Sequence, residues 1–346
     1  MAWIYTKVSV NALRPIVGAL ACVFGFLLIP QILLLVQLAA YSLVEARLAF
    51  QESPPVVNWP VYQLGLPALF FAAASRLLRL QRDDGLVRSL EIAAAAMIGV
   101  MGYYLTRQAL NVDANILFVK PGFVERGVTT NLLFVYGLAC LWIGRHYLHE
   151  SLRLSGLVLC GVAMFRIVYF DCVVYNPLWA SQQVGDLPLF NALLITYSLP
   201  ILWTSKVAKE LAYAGKPEWS KYGYSFVLFL AFTFLSLNVR HIFQGAHING
   251  SETTSAEIYT YSVVWLLFGI ALLFFGTLKK DKMVRVASLA VMILSVRKAF
   301  LYDSSELEGL FRVFSFFGLG LSLLGLSWFY TSFVFGDRDL LKGAQK

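Results

Sequence analysis

Ten apolar segments, at roughly 14–42, 60–78, 88–106, 128–147, 153–171, 187–208, 222–240, 257–276, 284–302 and 308–335, leave this chain of 346 residues few ways to fold. Each is about 19 to 29 residues long, enough at 1.5 Å per residue to cross a hydrocarbon core of about 30 Å. With 59% hydrophobic and only 14% charged residues, the chain cannot cover itself with an ordinary solvated surface. The expectation is an all-α, polytopic transmembrane helical bundle of about ten spans. The second segment is the weakest, because Pro60, Pro67 and Arg76 bracket a short run that is expected to tilt or lie partly in the interface.

Charge placement sets an expected orientation. The net charge of +8 resides mainly in short connections, so it reports membrane topology rather than nucleic-acid binding. Basic residues cluster at Arg76, Arg79, Arg82 and Arg88; at Arg145 and Arg153; at Lys206, Lys209, Lys216 and Lys221; and at Lys279, Lys280, Lys282 and Arg285. Those loops and both termini are expected to be cytoplasmic, with 43–59, 109–127, 172–186, 241–256 and 303–307 facing out. The first apolar segment outruns a signal-peptide core and lacks a small-residue cleavage site, so it reads as a retained anchor. Cys22, Cys140, Cys160 and Cys172 are scattered through the apolar segments without metal-type spacing.

One stretch of the chain is written twice. Glu125, Gly137, Ala139, Leu141, Gly144, Arg153, Leu157, Arg166 and Asp171 recur 132 positions later as Glu257, Gly269, Ala271, Leu273, Gly276, Arg285, Leu289, Lys298 and Asp303. With one gap Arg107 matches Arg240. Spaced charges inside apolar helices rarely recur by chance, because each costs free energy in lipid. The expected organisation is an N-terminal helix pair at 1–86, transmembrane repeats at 87–212 and 219–336, and a cytoplasmic tail at 337–346. Four helices per repeat keep the two copies in the same orientation, which makes the repeat parallel. Ala214-Gly215-Lys216-Pro217 fits the boundary, since Gly ends a helix and Pro bars its continuation.

The duplicated charges are the candidate ligand-binding residues: Arg107, Glu125, Arg166, Asp171, Arg240, Glu257, Lys298, Asp303 and Arg312. Arg166 and Asp171, like Lys298 and Asp303, are five apart and point about 140° from each other on a helix, so each is expected to find its partner on another element. One reading makes them structural, with cations pairing carboxylates and pinning helices. The other gathers Arg107, Arg166, Arg240 and Lys298 into an outward-facing pocket for an anionic lipid headgroup or glycan. Glu257 has a local role too, because Thr254-Ser255-Ala256-Glu257 has capping-box spacing. His146 with His149, and His241 with His247, make no metal motif, and no nucleotide loop, Ser-His-Asp set or zinc-protease helix occurs. Asn249-Gly250-Ser251 matches a glycosylation acceptor, and Glu45 and Glu52 resemble the loop acids of polytopic glycosyltransferases only as isolated residues.

Three stretches, Asn238 to Gly245, Glu257 to Trp265, and Arg285 through Asp303 to Phe311-Arg312-Val313 and Gly320, resemble the C-terminal region of the bacterial membrane proteins called domain of unknown function 2339. The likeness runs over about 235–335 and, through the repeat, over 100–212. It implies a bacterial inner-membrane setting and marks Arg240, Glu257, Lys298, Asp303 and Arg312 as a family pattern, without supplying a reaction. Family members are longer chains, so it also implies a short member or one section of a longer one. The leading functional expectation is binding or translocation of an anionic envelope lipid or glycan between the repeats. The alternatives are a non-catalytic scaffold for membrane-protein partners and a membrane-embedded transferase. The expected surroundings are membrane lipids, with no cofactor, catalytic residue or nucleic acid.

Overall fold

The computed structural model describes residues 13–44, 61–80, 82–110, 122–147, 149–250 and 252–299, with a few positions between 317 and 328. The described elements are helices, joined by one isolated antiparallel bridge between Gln183 and His247. In chain order they are α1 (Leu13–Val44), α2 (Val61–Arg79), α3 (Gly85–Leu110), α4 (Phe123–His146), α5 (Glu150–Val174), α6 (Leu194–Ser198 continuing as Leu199–Tyr213), α7 (Pro217–Gln244), α8 (Ser255–Leu278) and α9 (Lys282–Lys298). Among the described residues, six helices are long and apolar enough to cross a membrane: α2, the Gly85–Thr106 part of α3, α4, α5, α7 and α8. Most of the tenth expected segment, 308–335, and the loop acids Glu45 and Glu52 lie outside the described residues.

Local chemistry sets several of the ends. Thr254 caps α8, its hydroxyl accepting the Glu257 N–H at 3.3 Å, and Asp281 caps α9 by accepting from Met283 and Val284 at 2.9 and 3.4 Å. Gly215 takes a positive φ of 74° between α6 and α7, and Pro217 opens α7 where its missing N–H costs nothing. The sixth apolar segment departs from its expected extent. Residues 187–190 are not part of α6; Pro188 and a positive φ at Leu189 keep the chain irregular there. The first part of α6, and residues Ile167–Val174 of α5, are wound as wider π-helix.

The helices fall into two compact units. The first runs to Asn176 and includes Leu202–Val207; the second comprises Pro177–Ile201 and the chain from Ala208 onward. The first unit contains the hairpin α4–α5, and the second contains α8–α9. In α4–α5 a Cβ at Gly137 would lie 2.6 Å from Cys160 Sγ and 3.0 Å from the Gly156 carbonyl, and one at Gly144 would lie 2.7 Å from the Arg153 nitrogen. In α8–α9 a Cβ at Gly269 would lie 2.9 Å from Met292 Cγ, and one at Gly276 would lie 3.0 Å from the Arg285 nitrogen. Small residues let the paired backbones approach this closely. The turns are built from corresponding bonds: His149 N–H to Gly144 O at 2.8 Å and Asp281 N–H to Gly276 O at 2.9 Å, then Arg153 to His149 at 3.1 Å and Arg285 to Asp281 at 3.2 Å.

Candidate functional site

At the open end of the α4–α5 hairpin, opposite its turn, Asp171 receives a hydrogen bond from Arg126 Nε at 3.0 Å. The two side chains are 1% and 2% exposed. Arg126 belongs to the first turn of α4 and Asp171 to the π-wound end of α5, so the pair fastens the two helices at their far ends. The guanidinium is also held over two rings, Tyr175 at 4.9 Å and Phe123 at 5.6 Å from the centroids. Arg166 is half-buried with its guanidinium 5.3 Å from the Phe170 ring, and its charge also acts on Asp171. Glu125 is buried beside Arg126. Arg107 is on α3, its side chain outside those described.

The second unit has a different charge arrangement. Arg240 Nη1 lies 2.9 and 3.1 Å from the two oxygens of Glu257, which is fully buried, and it also donates to Thr253 Oγ1 at 3.1 Å. Arg240 Nε donates to the Ile248 carbonyl at 2.9 Å. Gln244 donates to Glu257 at 2.9 Å, and Tyr261, one turn along α8, shares a hydrogen bond with it. Lys298, near the end of α9, donates to the Ile258 carbonyl at 2.7 Å and to Ser262 Oγ at 2.8 Å. Asp303 and Arg312 lie outside the described residues.

Beside this network, residues 177–191 fold over the end of α7. His241 Nε2 is 2.6 Å from the Gly185 carbonyl, which can only accept, so this nitrogen carries the proton. Nδ1 then faces the Asn191 amide at 3.5 Å, and that amide also donates to Asn238 Oδ1 at 3.3 Å. Leu193 N–H donates to Asn191 Oδ1 at 3.0 Å, which fixes the amide's orientation. Val184 N–H donates to the Ala246 carbonyl at 2.9 Å.

Two groups of residues escaped the sequence reading. Arg126 has Ile258 as its counterpart in the second copy, so a search for duplicated charges passes over it. Glu91 has no duplicated partner either, yet it is buried where α2, α3 and the α4–α5 turn meet. Its carboxylate pairs with Arg79 Nη2 at 2.9 Å and accepts from the Ser151 hydroxyl, with His149 Nδ1 lying 3.2 Å away. At the same end Arg14 binds Asp84 at 2.6 Å. Burial alone would raise the Asp84 carboxyl, but the hydrogen bond and charge of Arg14, with the Val87 and Leu86 N–H groups, hold it below the ordinary carboxylate value.

Chemically, these are carboxylates set against donors, and cations set against carboxylates, carbonyls and rings. Among the described residues no group of three His, Cys, Asp or Glu side chains is placed to hold a metal ion. The fold and the buried charges define a polytopic helical membrane protein. Residues 2–333 match the family described as "Predicted membrane protein (DUF2339)", and the chain belongs to it. No curated protein and no solved structure matches the chain at a significant level.

Proposed function

We propose that the protein is a non-catalytic membrane scaffold, a multi-spanning subunit that holds protein partners in the plane of the bilayer. The observation that carries this reading is the internal use of the described intramembrane charges: Arg126 with Asp171, and Arg240 with Glu257. Taking an anionic lipid or glycan at these cations would require a buried carboxylate to give up its partner, at a cost of about 3–5 kcal/mol for each broken pair. A transferase would need a positioned acid, base or metal beside an acceptor cavity, and the carboxylates here are spent on pairing.

In this reading α4–α5 and α8–α9 descend from one duplicated hairpin within a parallel repeat of four helices. The close glycines and turn hydrogen bonds at the same 132-residue offset support it. Ten spans, basic loops and termini on the cytoplasmic side, and residence in a bacterial inner membrane complete the proposal.

The test is to extract the full chain with its native lipid in a polymer disc and analyse what accompanies it by native mass spectrometry. The double variant Arg240→Met with Glu257→Gln is carried alongside. A scaffold retains stoichiometric protein partners in both. Recovery of the chain alone with one anionic lipid or glycan, lost from the double variant, would overturn the scaffold in favour of a binding protein.

A further inference from the structure

The irregular segment 177–191 has two faces. Val184 and Asn191 are buried, and the segment is tied to the end of α7 through Gly185, Val184 and the Gln183–His247 bridge. Its other face carries Trp179, Leu187, Leu189 and Phe190, all more than half exposed, with Phe190 at 80%. Leu187-Pro188-Leu189-Phe190 is an unbroken apolar run outside any helix, and Asp186 is the segment's one charged residue. Leu189 holds a left-handed φ of 67°, a conformation that a leucine adopts only under constraint.

We propose that this segment is a membrane-interface hook, whose apolar run dips into the headgroup and upper acyl region of the bilayer. Two connections put it at that boundary. It follows directly on α5, an apolar helix of spanning length, and it is fastened to the end of α7, another such helix. When α7 spans, its end marks the edge of the hydrocarbon, and the hook lies against that edge. Tryptophan and phenylalanine suit this zone, where an apolar body meets polar headgroups. Pinning by Asn191, His241 and the Val184–Ala246 bond ties the irregular backbone back to the protein, as non-helical chain near lipid requires. The hydropathy of 187–190, which reads as a helix start, is thereby explained as lipid contact without a helix.

The test uses the full chain, with its four cysteines replaced, in vesicles of phosphatidylethanolamine and phosphatidylglycerol. A nitroxide is placed in turn through Phe190→Cys, Leu187→Cys and Trp179→Cys, with Gly250→Cys in the neighbouring loop as the aqueous reference and Phe274→Cys on α8 as the lipid reference. Collision with oxygen and with a water-soluble nickel chelate is then measured. A hook gives labels at 190 and 187 an oxygen-to-nickel ratio several-fold above that at 250, approaching that at 274. A ratio at 190 and 187 equal to that at 250 overturns the proposal, as does protection from both reagents, which means the run is covered by protein. Trp179→Cys reports on the same face should the other two variants fail to assemble.

Discussion

Removing Arg126 leaves the Asp171 carboxylate in a site almost closed to water. Arg126→Met or Asp171→Asn alone is expected to lower stability by about 3–5 kcal/mol. The double variant should recover most of that loss, because two neutral groups need no partner. Chemical denaturation of the purified protein and its three variants checks this; a double variant as unstable as the worse single one refutes a purely structural pair. Asp84, outside the spans, gives a prediction in pH. Its folded carboxyl lies below the unfolded value of about 3.9, so its stabilisation is present above that value and lost as pH falls through the folded one. The stability gap between the protein and Asp84→Asn should therefore hold constant from neutral to about pH 5 and close in stronger acid. Legibility at this scale followed duplication: Glu257 and Arg240 could be found because they recur in the sequence, whereas Arg126 and Glu91 could not, since Ile258 and Tyr224 stand at the matching places.

The paired helices make their own predictions through their glycines. Gly144→Ala sets a methyl group against the backbone nitrogen of Arg153 and the carbonyl of His149, which cannot move aside without opening the turn. Gly269→Ala meets first a methionine side-chain carbon, which can shift. Gly161, on the same α5 as Gly156, has nothing within 4 Å of a new Cβ. Thermal unfolding should rank Gly144→Ala as most damaging, by about 1–3 kcal/mol, Gly269→Ala as mild, and Gly161→Ala as neutral or stabilising by up to about 1 kcal/mol through helix propensity. Any other order would mean that the hairpins do not depend on close backbone approach. Helices were legible wherever an apolar run was long and uninterrupted, as in α4, α5, α7 and α8. Residues 187–190 misled because apolarity reports an environment and not the backbone shape that occupies it; Pro188 was the available warning.

For the molecule as a whole, the expected orientation is checked by single cysteines at Ser181, Gly250 and Lys216 in a cysteine-free background. The first two should react with an impermeant thiol reagent on intact cells and the third should not; the reverse pattern would invert the topology. At this scale the break near Asn176 went unmarked, because it falls in the 172–186 connection and not at the Gly-Lys-Pro linker of 215–217. The ion pair at the open end of α4–α5 bears on how the chain enters the bilayer. Arg126 is synthesised 45 residues before Asp171, and the intervening chain is one tight hairpin with its turn at Tyr147 to His149. Asp171, as it emerges, already has its counter-ion on the same short stretch of nascent chain. A ribosome that has passed Tyr175 has made every residue of that closure, so neutralising the acid requires no later helix and no second subunit.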